Sequence, residues 1–226
     1  YLSLQGESTF TGLPCVFVRL TGCDLRCSYC DTAYAFTGGK VMSLEDIQNE
    51  ISTQAEGYPN LPTVELTGGE PLLQKETPTL MTALCNAGFT VLLETSGAHD
   101  ISMVDPRVHR IVDLKCPSSG ECERNLDSNL EHLRPNDEVK FVIGTREDYQ
   151  WASEQMQKIK GRCEALFSWV NPLMTDQQHD ELKPVPSGQT PLTRQELAEA
   201  IITDRLPVRF QLQQQKHIWP PEQKGV

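Results

Sequence analysis

No stretch of this 226-residue chain reaches the roughly 18 consecutive apolar residues that a membrane-spanning helix needs, and no secretory h-region opens it. Basic residues are in short supply: 20 Lys and Arg face 31 Asp and Glu, for a net charge of −11. That balance argues against a broad nucleic-acid-binding face, which would carry a positive field. Internal repeats, low-complexity tracts and linker-like segments are missing too. Residues 1–226 are therefore expected to form a single domain, with neither a membrane nor a nucleic acid as partner. A chain of this length can bury roughly 70–75% of the surface it exposes when unfolded, so a core forms without disulfide staples.

Cysteine is present, but in the wrong arrangement for a secreted framework. Of eight cysteines, Cys23, Cys27 and Cys30 fall in one short run, while Cys15, Cys85, Cys116, Cys122 and Cys163 are scattered. Disulfide frameworks belong to short secreted chains, so a reduced, cytoplasmic protein is expected and the scattered thiols are taken as structural. Structural zinc takes four protein ligands, and simple iron–sulfur carriers take four cysteines. The C-x₃-C-x₂-C run has no fourth cysteine nearby, which implies an open coordination position and hence chemistry. On spacing alone, a metal or cluster site competes with ordinary core thiols.

The patterning alternates strands with helices. Strands are predicted at 15–20 (CVFVRL), 63–67 (TVELT), 90–94 (TVLLE), 110–115 (RIVDLK), 138–143 (EVKFVI) and 165–170 (ALFSWV), with a last one at 208–212. Helices are predicted from Ser43 to about residue 53, over 77–87 behind Thr77 and Pro78, from Thr145 to about residue 160, and from the Thr193–Glu196 capping box to about residue 203. Residues 171–192 read as a long Pro-rich loop. Repeated β–α units without hairpin signals predict a parallel sheet. Six units are too few for an eight-fold barrel, so the expected class is α/β, a partial, open (β/α)6-type TIM barrel with reduced helices. The cysteine run, Gly68–Pro71, Glu94–Gly97, Lys115–Gly120 and Asn171–Pro172 then fall at the C-terminal ends of strands, where such folds bind ligands.

C-x₃-C-x₂-C after one strand and Thr67-Gly-Gly-Glu-Pro71 after the next resembles the radical S-adenosylmethionine (SAM) superfamily. The resemblance implies a 4Fe-4S cluster on Cys23, Cys27 and Cys30, with SAM on the fourth iron. A narrower resemblance spans nearly the whole chain. Ser3-Leu-Gln-Gly-Glu7, Phe10-Thr-Gly12, Phe17-Val-Arg-Leu20, Cys30-Asp-Thr32, Glu94-Thr-Ser-Gly97, Asp113–Gly120 and Lys216-His-Ile-Trp-Pro220 are similar to the 7-carboxy-7-deazaguanine synthases. That family converts 6-carboxy-5,6,7,8-tetrahydropterin to 7-carboxy-7-deazaguanine with loss of ammonia, assisted by Mg²⁺.

The family resemblance implies roles for individual residues. Leu4, Gln5, Gly6 and Thr67 would contact the pterin, with Glu7 beside them. Arg19 would clamp the substrate carboxylate, for which a planar fork is suited, and Arg19 and Glu7 are the expected catalytic pair. Tyr29, Cys30, Asp31, Gly69, Glu70, Lys115, Pro117, Ser118 and Asn171 would bind SAM, with Trp169 either beside them or in the core. The paired glycines Gly68 and Gly69 would let the backbone approach a ligand. Thr32 would ligate Mg²⁺, although Asp31 is the better ligand on chemistry alone. Lys216 and His217 would fold back over the site, and Val226 would present its carboxylate to it. The family also implies a flavodoxin or ferredoxin electron donor, and reduced helices suggest a homodimer. Rival readings are a glycyl-radical-enzyme activase, which needs neither the Leu-Gln-Gly-Glu opening nor the Lys-His-Ile-Trp tail, and an iron–sulfur carrier or zinc module, which needs a fourth protein ligand.

Overall fold

The structure, a computed structural model, describes residues 1–159, 161–221 and 223–226. Eight strands hydrogen-bond into one sheet in chain order. β1 (Leu2–Leu4) runs antiparallel to β2 (Pro14–Leu20). β2 and the following β3 (Thr63–Gly68), β4 (Val91–Thr95), β5 (His109–Asp113), β6 (Glu138–Ile143), β7 (Glu164–Trp169) and β8 (Arg209–Gln211) are all parallel to their neighbours. No ladder among the described residues joins β8 to β1, so the barrel is open and partial. The six expected β–α strands are present, and β8 follows them. β1 is an addition, since three residues are too few to show alternation.

Four helices cover the outside. α1 (Leu44–Gln54) starts at Ser43, whose hydroxyl accepts from the Asp46 amide at 3.1 Å. α2 (Thr77–Asn86) begins one residue earlier than expected, because the Thr77 hydroxyl donates to the Pro71 carbonyl at 2.8 Å instead of capping. α3 (Arg146–Ile159) and α4 (Arg194–Asp204) complete the set, α4 behind the predicted capping box. Residue 160, the expected end of α3, lies outside the described residues. A short α5 (Gln215–Ile218) lies in the tail. None of the helices described is long and apolar enough to cross a membrane.

Strand alternation divides the side chains into two environments. Val16, Val64, Leu66, Val91, Leu93, Val112, Val139, Phe141, Ala165 and Phe167 point outward and form one core with Ile51, Leu80, Leu84, Met156 and Leu197 of the helices. The intervening residues Phe17, Arg19, Glu65, Thr67, Glu94, Asp113, Lys140 and Ser168 face the barrel interior. The apolar core therefore lies between sheet and helices, while the barrel itself is polar. Its open side is laced by the loop after β1. The Ser8 amide donates to Gln211 Oε1 at 3.2 Å, Gln211 Nε2 donates to the Ser8 carbonyl at 2.8 Å, and the Gln214 amide donates to the Gly6 carbonyl at 3.0 Å.

The crossovers from β4 to β5 and from β5 to β6 contain no α-helix. Arg110, on the outward face of β5 and fully buried, fills that space. Its guanidinium pairs with the buried Asp137 and donates to the Ile101 carbonyl at 3.0 Å and the His132 carbonyl at 2.5 Å, tying both crossovers to the strand. Removing one member of such a pair strands the other charge in a dry interior. Asp137→Ala is expected to lower unfolding stability by about 3–5 kcal/mol, as read by urea denaturation.

Candidate functional site

A cavity of about 240 Å³ opens inside the barrel at the C-terminal ends of the strands. Cys23, Cys27 and Cys30 all line it, together with Leu25 and Tyr29 of the same loop. Burial pushes the Cys27 thiol up to about 12 and the Cys30 thiol to about 11, and raises Cys23 as well. These thiols stay protonated unless positive charge is placed among them, as metal ligation would do. The donor set, three thiols on one wall, fits a cluster with one iron left open.

The cysteine loop is held by the turn after β5. The Ser28 amide donates to the Ser119 carbonyl at 3.0 Å and the Ser28 hydroxyl to the Ser118 carbonyl at 2.7 Å, while the Arg26 amide donates to Glu121 Oε1 at 2.6 Å. That turn is anchored in its own right by Asp148 of α3. The Asp148 carboxylate accepts from the Ser118 amide and hydroxyl at 2.7 and 2.6 Å and from the Gly144 and Thr145 amides at 3.0 and 3.1 Å. Ser118 and Pro117 are not among the cavity-lining residues, and the Ser118 hydroxyl and amide are taken up by Asp148. Lys115 and Asn171 do line the cavity. Tyr29 also lines the cavity, and its buried hydroxyl has no hydrogen-bond partner among the described residues.

The glycines after β3 have a local explanation. Gly68 sits at φ +132°, and a Cβ there would collide with the Leu20 backbone; one on Gly69 would collide with the Gly22 carbonyl. The Gly69 amide donates to the Leu20 carbonyl at 2.9 Å and the Glu70 amide to the Gly22 carbonyl at 2.7 Å. The turn thus lies directly on the start of the cysteine loop, and glycine is required by that contact as well as by any ligand. Glu70 is not a cavity residue. It is fully buried and accepts from the Thr95 hydroxyl and Ser96 amide, both at 2.8 Å, and from the Leu72 amide at 3.0 Å. Trp169 belongs to the main core, its indole donating to the Leu192 carbonyl at 2.9 Å.

Leu4, Gln5, Gly6, Glu7, Arg19, Asp31, Thr32, Thr67, Gly69 and Val226 all reach the cavity. Arg19 donates to the Tyr1 hydroxyl at 3.1 Å, and its buried Nε has no partner among the described residues. The Thr32 hydroxyl donates to Asp31 Oδ1 at 2.8 Å, which leaves the Thr32 oxygen lone pairs free. Sequence reasoning assigned Glu7 and Lys115 but not Glu94, Asp113 or Lys140, which join them in a charged cluster deeper in. Lys140 Nζ pairs with Glu7 at 2.8 Å, with Glu94, and with Asp113 at 3.8 Å; Lys115 takes Asp113 at 2.8 Å. Gln5 Nε2 donates to Glu65. Burial opposes the Lys140 charge, but Glu7, Glu94 and Asp113 outweigh it and raise its pKa. The available signal was a charge at alternate positions of otherwise apolar strands, as in VELT, IVDLK and EVKFVI.

The tail closes the rim. Lys216 Nζ pairs with Asp31 Oδ2 at 2.5 Å, Gln177 Nε2 donates to the Pro221 carbonyl at 3.1 Å, and the Lys224 ammonium lies 4.4 Å from the Tyr34 ring centre. His217 is exposed and takes no part. A second cavity of about 230 Å³ under the tail shares Arg19, Asp31, Thr32 and Val226 with the first.

A family model described as the Radical SAM superfamily matches residues 17–182. The 7-carboxy-7-deazaguanine synthase of Koribacter versatilis is 42% identical, with 100% of this chain and 97% of the relative covered. That of Chlorobaculum tepidum is 42% identical over 100% and 94%, and that of Methanospirillum hungatei 36% identical over 98% and 84%. Among solved structures, QueE from Escherichia coli has a TM-score of 0.70 at 24% identity, covering 95% of this chain and 91% of that one. Streptococcus suis SuiB bound to S-adenosylmethionine has a TM-score of 0.62 at 15% identity, covering 88% and 49%. At these identities both structures speak for the fold alone.

Burial pushes the Asp31 carboxyl up, but Lys216, Thr32 and Arg19 outweigh it and hold its pKa below the ordinary value. Its contribution to tail docking is therefore complete above about pH 4 and lost as pH falls through the lowered value. Lys216→Ala is expected to undock the tail at neutral pH, speeding proteolytic cleavage around residues 213–219 about tenfold with little change in Tm. In the unmodified chain, Trp219 emission should report docking down to about pH 4 and release below it.

Proposed function

We infer that the chain, which belongs to the radical SAM superfamily and within it to the 7-carboxy-7-deazaguanine synthase family, is a lyase that converts 6-carboxy-5,6,7,8-tetrahydropterin to 7-carboxy-7-deazaguanine with loss of ammonia, a reaction of queuosine and 7-deazapurine biosynthesis. The observation that carries this reading is one cavity lined both by Cys23, Cys27 and Cys30 and by Arg19 with the Leu4–Glu7 segment. A 4Fe-4S cluster held by Cys23, Cys27 and Cys30, with SAM on it, would supply the deoxyadenosyl-radical chemistry that this conversion needs, hydrogen abstraction at C6 of the pterin.

The chain's own residues bind, orient and manage protons. The three cysteines hold the cluster. The Tyr29 hydroxyl, the Gly69 backbone, Lys115, Asp31 and Asn171 face SAM; the orphaned Tyr29 hydroxyl is the donor with most to gain from a ligand. The unpartnered Arg19 Nε and the fork beside it take the substrate carboxylate. Leu4, Gln5, Gly6, Thr67 and Val226 wall the ring. Glu7 Oε2 accepts a hydrogen bond from Lys140 Nζ at 2.8 Å, and the Lys140 ammonium so held is an N–H donor on the cavity wall that can meet the departing nitrogen. The free lone pairs of Thr32 suit a Mg²⁺ ion that takes its other oxygens from substrate and water.

The same reading includes a single domain, supported by the unbroken sheet, and a cytoplasmic setting, supported by eight free cysteines. It includes a flavodoxin or ferredoxin as electron donor. A homodimer is part of it, supported by apolar side chains left exposed at Ile202 and Phe210.

The test is anaerobic reconstitution with iron and sulfide, followed by SAM, reductant, Mg²⁺ and 6-carboxytetrahydropterin. Deoxyadenosine and a deazaguanine together support the reading; deoxyadenosine alone removes the substrate assignment. Arg19→Ala should raise the Michaelis constant at least about tenfold, from loss of a charge-assisted pair, while SAM affinity holds. Thr32→Val should weaken the Mg²⁺ response and leave the cluster spectrum intact.

A further inference from the structure

Four carboxylates line the barrel interior: Glu7, Glu65, Glu94 and Asp113. Three of them face a cation within an ion pair, Glu7 and Glu94 on Lys140 and Asp113 on Lys115. Among the described residues Glu65 has no such partner. It is 2% exposed, and one of its oxygens, Oε2, accepts from Gln5 Nε2. The other oxygen, Oε1, receives no protein donor among the described residues, and Glu65 is one of the residues that line the cavity. A buried carboxyl without a counter-charge is costly unless something donates to it. Burial and the neighbouring Glu94 charge push its pKa well above the usual carboxylate range, although Lys140 and Arg19 pull the other way from beyond ion-pair distance.

The strand register places Glu65 relative to the substrate clamp. Arg19 of β2 is level with Thr67 of β3, and Phe17 is level with Glu65. Glu65 therefore lies two residues deeper than Arg19, about 6.6 Å along the strands. A fused two-ring substrate held by its carboxylate at Arg19 and extending inward brings the far edge of its pyrimidine ring to this level. That edge carries the exocyclic amino group, a donor. Glu7, the acidic reader expected from the family resemblance, has Oε2 on Lys140. Asp113, whose Oδ1 is also without a partner among the described residues, is paired with Lys115 through Oδ2. Among the described residues Glu65 is the lining carboxylate of the barrel interior with an open oxygen and no ion pair.

We propose that Glu65 accepts a hydrogen bond from the amino group of the pterin and so sets the preference for a 2-amino substrate over its 2-oxo counterpart. This rests on the pterin reading above. The test is fluorescence titration of the reconstituted, SAM-loaded chain with 6-carboxypterin and with 6-carboxylumazine, which differ at that edge alone: an amino group beside a ring nitrogen acceptor in one, an oxo group beside a ring N–H in the other. Both carry the carboxylate for Arg19, so the ratio of their dissociation constants isolates the far edge. The unmodified chain should prefer the pterin by at least about tenfold. Glu65→Gln keeps volume and the Gln5 contact, but its amide can turn either an oxygen or an N–H to the ligand; the ratio should fall below about threefold. A ratio unchanged in this variant, whether or not both affinities drop, overturns the assignment and leaves the pterin reading standing. Binding of neither ligand by the unmodified chain overturns both.

Discussion

A buried ammonium at the centre of the barrel holds the polar interior together. Lys140 stands between Glu7, Glu94 and Asp113, which come from the loop after β1, from β4 and from β5. Without it, three carboxylates would face one another in a poorly hydrated space, and like charges so placed disfavour ionisation or folding. With it, the inward positions of the parallel strands can carry charge while their outward positions carry the apolar core. The cavity exists because this interior is filled with polar side chains that leave room, where most barrels of this kind pack branched aliphatic layers.

Above that interior the cysteine loop is placed by backbone contacts more than by its own side chains. Ser28 bonds to the turn at Ser118 and Ser119, that turn bonds to Asp148, and Asp148 also gathers the amides at the start of α3. On the other side, Gly68 and Gly69 lie against Leu20 and Gly22. Two rigid supports thus meet a loop that has little regular structure. For a site in which three thiols must hold one inorganic group, such support matters more than local propensity.

The tail completes the enclosure by a different kind of contact. Lys216 on Asp31 and Lys224 over Tyr34 are single polar anchors at the end of a segment whose described residues contribute no buried side chain to the main core. Such a segment opens at lower free energy than the sheet, which suits a cover over a cavity that must admit a substrate.

Local information in the sequence determined the strands, the capped helices, the open parallel barrel and the convergence of the cysteine loop, Gly68–Gly69, Lys115 and Asn171 on one rim. Periodicity, caps and the order of β–α units are properties of neighbouring residues, so they are legible without tertiary contacts. The family resemblance added Glu70, Pro117 and Ser118 to the expected SAM-binding residues, and a motif gives a position and not the direction of a side chain; none of the three is in the cavity lining. Only the folded chain decided that Glu70 turns to Thr95 and Ser96, and that Ser118 turns to Asp148. The pairing of Lys140 with Glu7 and Glu94, and the absence of a cation at Glu65 among the described residues, were likewise tertiary outcomes. These partners are 133 and 46 residues apart in the chain, and which charges share a low-dielectric interior depends on sheet register, which no local pattern specifies.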